Sequence, residues 1–321
     1  MELSSSVIRA KKWLDKNEVI AIPTETVYGL AASIYSKKAI DSIYSIKNRP
    51  TTNPLIVHIK SEKELYKYVQ NIPVKAKLLA KTFWPGPLTL VLPRTDLIPD
   101  YITANSESVA IRVPNHPLTL ELLSSLDYPL AAPSANPSNH VSSTTAQHVE
   151  NYFNTILPYV LDGGDCSKGL ESTIIGFDKN GEPIVFRLGA LTIEQIELVI
   201  GEVQVRKNLK EAETPIAPGM FSKHYAPKTP FFVVDNIDSF LESVTTDSIV
   251  YIGHQSRISN SKIKHQLLLS ETGNIEEMAS NLYKKLLEAD SVGCDIIVTT
   301  WFENKNLGMS INDRLKRASV K

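Results

Sequence analysis

Hydrophobic periodicity runs through most of the chain and lapses once, over residues 201–228, and no other feature of the sequence constrains the fold as strongly. Upstream of the break, short β-branched runs alternate with segments of helical spacing, the pattern of an α/β domain. Residues 18–22, 55–59, 88–92, 108–113, 130–132, 159–161, 173–177 and 184–188 read as strands, and residues 38–47, 145–153 and 193–200 as helices. Ser36 is placed to cap the first of these helices, and Ser61/Glu64 and Thr192/Gln195 have capping-box spacing. The connections mix hairpin and crossover lengths, so an α/β fold with a twisted mixed sheet and flanking helices is expected. Downstream, residues 231–234, 248–252, 266–269 and 295–300 read as strands and residues 275–289 as a helix, a small parallel α/β domain.

The expected organisation is one domain over residues 1–200, a linker over 201–228 and the small domain over 229–321. Loops longer than about 12 to 15 residues tend to be lids or spacers. Here Pro215, Pro218 and Pro227 stiffen the segment, and Met220, Phe221, His224 and Tyr225 supply groups able to cover a ligand. Its composition favours a lid over a tether, which would be richer in Gly and Ser.

Composition excludes several function classes. With 321 residues, 42% hydrophobic and 21% charged, the chain is long and apolar enough to fold as two domains. Lys and Arg number 34 against 35 Asp and Glu, a net charge of −1, and neither half carries a basic excess. Nucleic-acid affinity comes from clustered cations, so no stable nucleic-acid binding is expected. Met1, Glu2 and Leu3 followed by serines do not resemble a signal peptide, and no apolar run approaches the roughly 20 residues that span a bilayer. A cytoplasmic location with no membrane contact is the expectation. Cys166 and Cys294 lack CxxC or Cys/His neighbours and read as inert thiols rather than metal ligands.

Common nucleotide signatures are missing. The run GGDCSKG at residues 163–169 is followed by Leu170 where a P-loop would place Lys, and no GxGxxG, GxSxG or HExxH occurs. If the chain is an enzyme, it works by positioning and charge. The richest cluster begins where the strand at 18–22 delivers Thr24, Glu25, Thr26 and Tyr28 to a strand end, the usual ligand position in α/β sheets. Lys47 and Arg49 follow at a helix C-terminus, Asn53 leads into the next strand, and that strand carries His58. Taken singly, Lys47 and Arg49 read as cations favourable at a helix end, and His58 as a satisfied core histidine. Arg112 lies inside an otherwise apolar strand, where an unpaired guanidinium is costly. Its partner is an internal acid such as Glu25 or Glu171, or a bound carboxylate or phosphate. AAPSAN at residues 131–136 is a small, hydroxyl-bearing, proline-stiffened loop, and Ser172 and Arg187 add a hydroxyl and a cation.

PTETVYGL, KNRP followed by NPLIVHI, WPGPLTLVL, SVAIRVPNHP, AAPSAN and ESTI, in this order and spacing, closely resemble the motifs of the YrdC-like threonylcarbamoyl-AMP synthases. They span about residues 21–187, and KHYAP at 223–227 and NDRLKRAS at 312–319 resemble the tail of the long, two-domain form. The resemblance implies a YrdC-like catalytic domain and a nucleotidyltransferase that makes L-threonylcarbamoyl-adenylate and pyrophosphate. Its substrates would be L-threonine, bicarbonate and ATP, with Mg²⁺ on the phosphates and no protein-bound metal. The product would serve a tRNA threonylcarbamoyl transferase complex that modifies the adenosine 3′ of the anticodon. By position, Thr26, His58, Arg112, Ala132 and Ser172 match threonine contacts of the family, Arg112 facing the α-carboxylate. Arg49, Asn53, Ser108, Ser134, Ser142 and Arg187 match ATP contacts, and Lys47 and Arg49 match the catalytic cations near the phosphates. Ser108 stands where Thr is common and Leu188 where Pro is frequent. Ser222 occupies the linker position where some members carry an ATP-contacting Tyr. In the two-domain form the linker resembles a flap over the active site.

Two other functions compete with this one. Carbamoyl transfer in hydrogenase maturation uses a similar domain but adds zinc fingers, which two isolated cysteines cannot build. A non-catalytic RNA-binding module needs no local motif, but the balanced charge of both halves speaks against it.

Overall fold

The structure, a computed structural model, describes residues 3–206 and 225–320. Most of the linker, with Ser222, lies outside the described residues. The first sheet comprises β1 (Ile20–Ile22), β2 (Gly29–Ser33), β3 (Ile56–His58), β4 (Leu88–Pro93), β5 (Ser108–Arg112), β6 (Leu130–Ala131), β7 (Thr173–Phe177), β8 (Pro183–Arg187) and β9 (Gln204–Val205). Their order is β1-β2-β6-β3-β5-β4-β7-β8-β9. The pairs β3/β5, β4/β7 and β8/β9 are parallel and the others antiparallel, the mixed sheet expected from the connection lengths. The second sheet contains β10 (Phe231–Val234), β11 (Ile249–Gly253), β12 (Ile263–Leu268) and β13 (Ile296–Thr300), in the order β10-β13-β11-β12 and parallel throughout.

Alternation along the strands separates a core face from a working face of the first sheet. Val57, Leu90, Ile111, Ile175 and Val185 enter the main core, where Ile40 and Ile43 of helix Lys37–Lys47, Leu79 of Val74–Phe83 and Ile196 of Ile193–Ile200 cover them. The opposite face carries a small apolar cluster of Ile56, Val91, Ala110 and Ile174 against Phe186. On this same face the strands present His58, Thr89 and Arg112, with His58 and Arg112 directly paired in register. An imidazole, a hydroxyl and a guanidinium on one buried sheet face are costly for a core and mark a site.

The sequence reading differs from the structure where tertiary context outweighs local pattern. Residues 159–161 do not form a strand of the sheet. Val160 makes an isolated bridge to Ala21, because the segment meets only the three-residue edge of β1 before turning away at Gly163. Ser61 caps nothing; the chain makes a single 3-10 turn there, and the Glu64 carboxylate turns back to the Lys60 amide at 3.4 Å. Gly29–Ser33 is a fully buried strand built from small residues that carry little β-propensity. Residues 204–205 extend the first sheet beside β8.

The small sheet does not stand apart from the large one. Val27, Val141, Leu170 and Ala190 pack in one apolar cluster with Leu282, Tyr283, Ile311 and Leu315. At Gly169, whose φ is +65°, a Cβ would lie 2.3 Å from the Ser280 carbonyl oxygen, so helix Ile275–Ser291 approaches this loop more closely than any other residue allows. No helix among the described residues is long and apolar enough to cross a membrane. Leu170 is fully buried in the shared cluster. Leu170→Ala should lower unfolding free energy by about 2 to 5 kcal/mol in chemical denaturation, the usual cost of such a truncation; a loss below about 1 kcal/mol, under that range, would show that Leu170 does not bear the junction.

Candidate active site

The turn after β1 is tied by Thr24, whose Oγ1 accepts from the Thr26 and Val27 amides at 3.2 Å. It presents two side chains to Arg112. The guanidinium Nη1 donates to Thr26 Oγ1 at 2.9 Å, Nε to the Gly86 carbonyl at 3.1 Å, and Nη2 lies 2.7 Å from Glu25 Oε1. The other Glu25 oxygen accepts from the Asn115 amide at 3.1 Å. Arg112 is 4% exposed and Glu25 6%, so the buried arginine has its own carboxylate, and of the two acids the sequence offered it is Glu25.

His58 is buried beside Arg112, with Nδ1 3.3 Å from the Ile56 carbonyl. A carbonyl only accepts, which assigns the proton to Nδ1 and leaves Nε2 an acceptor. Burial, with Arg112 adding to it, pulls the imidazole down to about 3, so it is neutral at physiological pH.

The cationic side of the site begins at helix Lys37–Lys47, capped by Ser36, whose side chain accepts from the Ala39 amide at 3.3 Å. Asn48 ends the helix at φ 49°, a left-handed cap that reverses the chain. Arg49 then folds onto its own loop, Nε donating to the Asn53 carbonyl at 3.2 Å and Nη2 to the Pro54 carbonyl at 2.8 Å. Lys47, 1% exposed, donates to the Ser134 and Asn136 carbonyls, each at 2.5 Å. Among the described residues neither cation has a carboxylate within salt-bridge distance. Burial, then Arg49, pushes the Lys47 ammonium well below its usual range, and burial, with Arg187 nearby, pulls Arg49 to about 10. On the far side, Arg187 donates from Nη2 to Ser172 Oγ at 3.1 Å and to its carbonyl at 2.9 Å, and Ser172 Oγ meets Thr89 Oγ1 at 2.7 Å.

Glu171 links this side to the small domain. Its Oε1 accepts from Ser142 Oγ at 2.7 Å, while Oε2 accepts from Tyr283 at 3.0 Å and Arg314 Nε at 2.9 Å. Burial alone would raise the carboxyl, but Arg314, then Arg187 and the Ser142 hydrogen bond, hold it at about 2. The loop can sit this close because residue 189 is glycine: a Cβ there would lie 2.4 Å from the Glu171 carbonyl oxygen. Tyr225 stacks on Tyr283 with ring centroids 5.6 Å apart, and the Arg314 guanidinium lies 5.1 Å from the Tyr225 centroid.

These groups surround one cavity of about 50 Å³. Thr26, His58, Arg112, Ala132 and Ser172 line it together with Arg49, Ser134 and Arg187. Lys47, Asn53 and Ser142 stand one contact behind, through Ser134, Arg49 and Glu171 respectively. Ser108 is the outlier; it sits at the opposite end of β5, in a groove of about 700 Å³ with Val91 and Phe186. Glu25 and Glu171, expected only as alternative partners of Arg112, and Tyr225, expected only as a covering group, are the cavity neighbours that motif reading did not place among the substrate contacts. A buried-strand arginine signals that an acid must exist, but not which one. Among the described residues no group of three His, Cys, Asp or Glu side chains is placed to hold a metal ion.

Two family profiles divide the chain: one described as "Telomere recombination" matches residues 12–189, and one described as "Threonylcarbamoyl-AMP synthase, C-terminal domain" matches residues 191–320. A threonylcarbamoyl-AMP synthase of Pyrococcus abyssi is 37% identical over 97% of this chain and 93% of its own length. One of Bacillus subtilis is 36% identical over 99% and 95%. The crystal structure of Pyrococcus abyssi Sua5 complexed with L-threonine superposes with a TM-score of 0.89 at 36% identity, covering 99% of this chain and 96% of that one. With both profiles matched and near-complete coverage in sequence and in structure, the chain belongs to the threonylcarbamoyl-AMP synthase family, in its long two-domain form.

Proposed function

We propose that this chain converts L-threonine, bicarbonate and ATP to L-threonylcarbamoyl-adenylate and pyrophosphate, for threonylcarbamoyl transfer to the tRNA adenosine 3′ of the anticodon by a separate transferase complex. The observation that carries this reading is a single cavity with two chemistries. One side offers a neutral imidazole acceptor, hydroxyls and a pre-paired guanidinium, suited to an amino acid. The other gathers buried cations, of which Lys47 and Arg49 have only carbonyl partners among the described residues, suited to phosphates.

In this reading Arg112, held by Glu25, meets the threonine carboxylate with its remaining N–H groups. Thr26, Ala132 and Ser172 frame the side chain, and His58 Nε2 accepts from the amine or hydroxyl. The threonine nitrogen attacks bicarbonate with loss of water to give an N-carboxylate, and an oxygen of that carboxylate attacks the α-phosphorus of ATP as pyrophosphate leaves. Arg49 and Arg187, with Ser134 and Ser142, hold the phosphates where negative charge develops, and Lys47 fixes the Ser134 loop. Asn53 fixes Arg49. Mg²⁺ supplies charge neutralisation on the phosphates, and the donor set fits a metal carried by the nucleotide, since Glu25 and Glu171 are both committed to arginines. No protein nucleophile enters this scheme: burial pushes the Cys166 thiol up to about 12. Ligand pockets usually enclose about 300 to 1,000 Å³, so the 50 Å³ cavity, which Tyr225 helps to line, must widen for substrates.

Pyrophosphate release should require all three substrates; mass spectrometry should find the adenylate only in the complete mixture, and fast release in bicarbonate-depleted buffer would count against this mechanism. Arg112→Ala should weaken threonine binding by about 10- to 150-fold, the range for one buried hydrogen-bonded charge. Arg112→Lys keeps a charge for Glu25 but loses the fork, so calorimetry should still show weak binding; wild-type affinity in both variants would make Arg112 purely structural. His58 stays neutral when folded, so unfolding takes up its proton below the ordinary pKa of about 6.5, and stability falls as pH drops from there toward about 3. His58→Gln should reduce the loss of unfolding free energy between about pH 6.5 and 5, where His148 and His254, also lowered by burial, contribute the remainder. A slope identical to wild type would place the imidazole in water.

A further inference from the structure

Glu171 is shared between two parts of the chain that the sequence separates widely. One carboxylate oxygen receives Ser142 from the large domain at 2.7 Å. The other receives only small-domain donors, Tyr283 from helix Ile275–Ser291 at 3.0 Å and Arg314 from helix Leu307–Ala318 at 2.9 Å. Arg314 is 1% exposed and also donates to the Leu188 carbonyl at 2.6 Å, next to Arg187. Neither Tyr283 nor Arg314 lines the cavity, whereas Glu171 and Arg187 both do. We propose that Tyr283 and Arg314 are positioning residues for the nucleotide half of the site, acting through Glu171, so that the small domain sets ATP affinity without touching ATP. This rests on the reading that Ser142 and Arg187 meet the nucleotide.

The physical basis is the competition for one buried carboxylate. Glu171 lies between Arg314 and Arg187, and both cations attract it. Tyr283 and Arg314 saturate Oε2, which keeps Oε1 on Ser142 and leaves Arg187 anchored to Ser172 rather than drawn onto Glu171. Remove one small-domain donor and the oxygen, still buried and charged, is left with a single partner and pulls harder on the remaining cations. After Arg314, the cation that acts most strongly on Glu171 is Arg187, and a guanidinium committed to Glu171 is lost to phosphate. The threonine half is insulated, because Arg112 has a separate acid in Glu25. A bond that merely glues the domains behaves differently. Ser310 Oγ donates to the Gly189 carbonyl at 2.8 Å, a docking contact that does not reach Glu171.

The test uses the full-length protein, with ATP KM and kcat from pyrophosphate release at saturating threonine and bicarbonate, and threonine affinity from calorimetry. Tyr283→Phe keeps the ring stacked on Tyr225 and deletes one donor; it should raise ATP KM by about tenfold, the scale of one hydrogen bond to a charged group, with threonine affinity unchanged. Arg314→Lys should act in the same direction, and Ser310→Ala should leave ATP KM at the wild-type value. In a double-mutant cycle, Tyr283→Phe added to Glu171→Gln should raise KM no further than Glu171→Gln alone. Additive effects in that cycle, an unchanged KM in Tyr283→Phe, or parallel losses of ATP and threonine affinity would each overturn the proposal. Failure of the wild-type protein to make the adenylate is a separate result, and it would overturn the functional reading on which the proposal stands.

Discussion

The structure depends on an imbalance of buried charge. Lys47, Arg49, Arg112 and Arg187 gather at one cavity, and Arg314 stands just behind it, yet among the described residues only Glu25 and Glu171 are acids buried with them. Each carboxylate makes an ion pair with one arginine, Glu25 with Arg112 and Glu171 with Arg314. Lys47 and Arg49 are left to backbone carbonyls. Carbonyl oxygens satisfy donors without cancelling charge, so this side retains a net positive potential in a low-dielectric setting, where an anion is held far more strongly than at a surface. The loops follow from the same constraint. The Pro23–Tyr28 turn exists to bring Glu25 and Thr26 to Arg112, and the AAPSAN loop turns its carbonyls inward to receive Lys47.

Much of this was legible in the sequence because several elements announce themselves locally. Ser36 and Thr192 cap the helices whose spacing they begin, and the strands that carry His58 and Arg112 show their alternation plainly. The outlying Arg112 also announced that a partner had to exist. What stayed hidden was pairwise and distant. Glu25 lies 87 positions before Arg112, and Glu171 is 143 positions from Arg314. No periodicity encodes such a pairing. Tyr225 looked like a covering group but not like the stacking partner of Tyr283, since a ring's partner is decided by domain docking. Elements that failed locally did so for related reasons. The strand Gly29–Ser33 is made of residues with weak β-propensity and forms because both neighbouring strands and a full burial environment demand it.

The working face of the first sheet explains how polar side chains of different kinds reach one cavity. Pairing in register fixes His58 against Arg112, and the parallel pair β4/β7 sets Thr89 against Ile174, so side chains from four strands reach one surface without any long loop. Register is unforgiving here: a slip of one residue in β5 would exchange Arg112 for Ile111, burying a guanidinium in the main core and exposing an isoleucine to the site. The apolar cluster of Ile56, Val91, Ala110 and Ile174 beneath the polar end pins that register, because each of its members alternates with a core residue. Stability and chemistry are thus written on opposite faces of the same strands.

This arrangement orders the assembly of the site. The side of the cavity around Arg112 is completed by contacts within residues 23–134 and 172, all on or beside the first sheet. The side around Arg187 is not, since the Glu171 carboxylate receives two of its three hydrogen bonds from helices that belong to the small sheet's core, and Gly169 lets one of those helices approach. A carboxylate buried without those donors is costly, so the charge pairing of the site is complete only with the small domain in place. Docking therefore does more than add apolar contact through Leu170 and Val141: it completes the charge pairing on which the cationic side of the cavity rests.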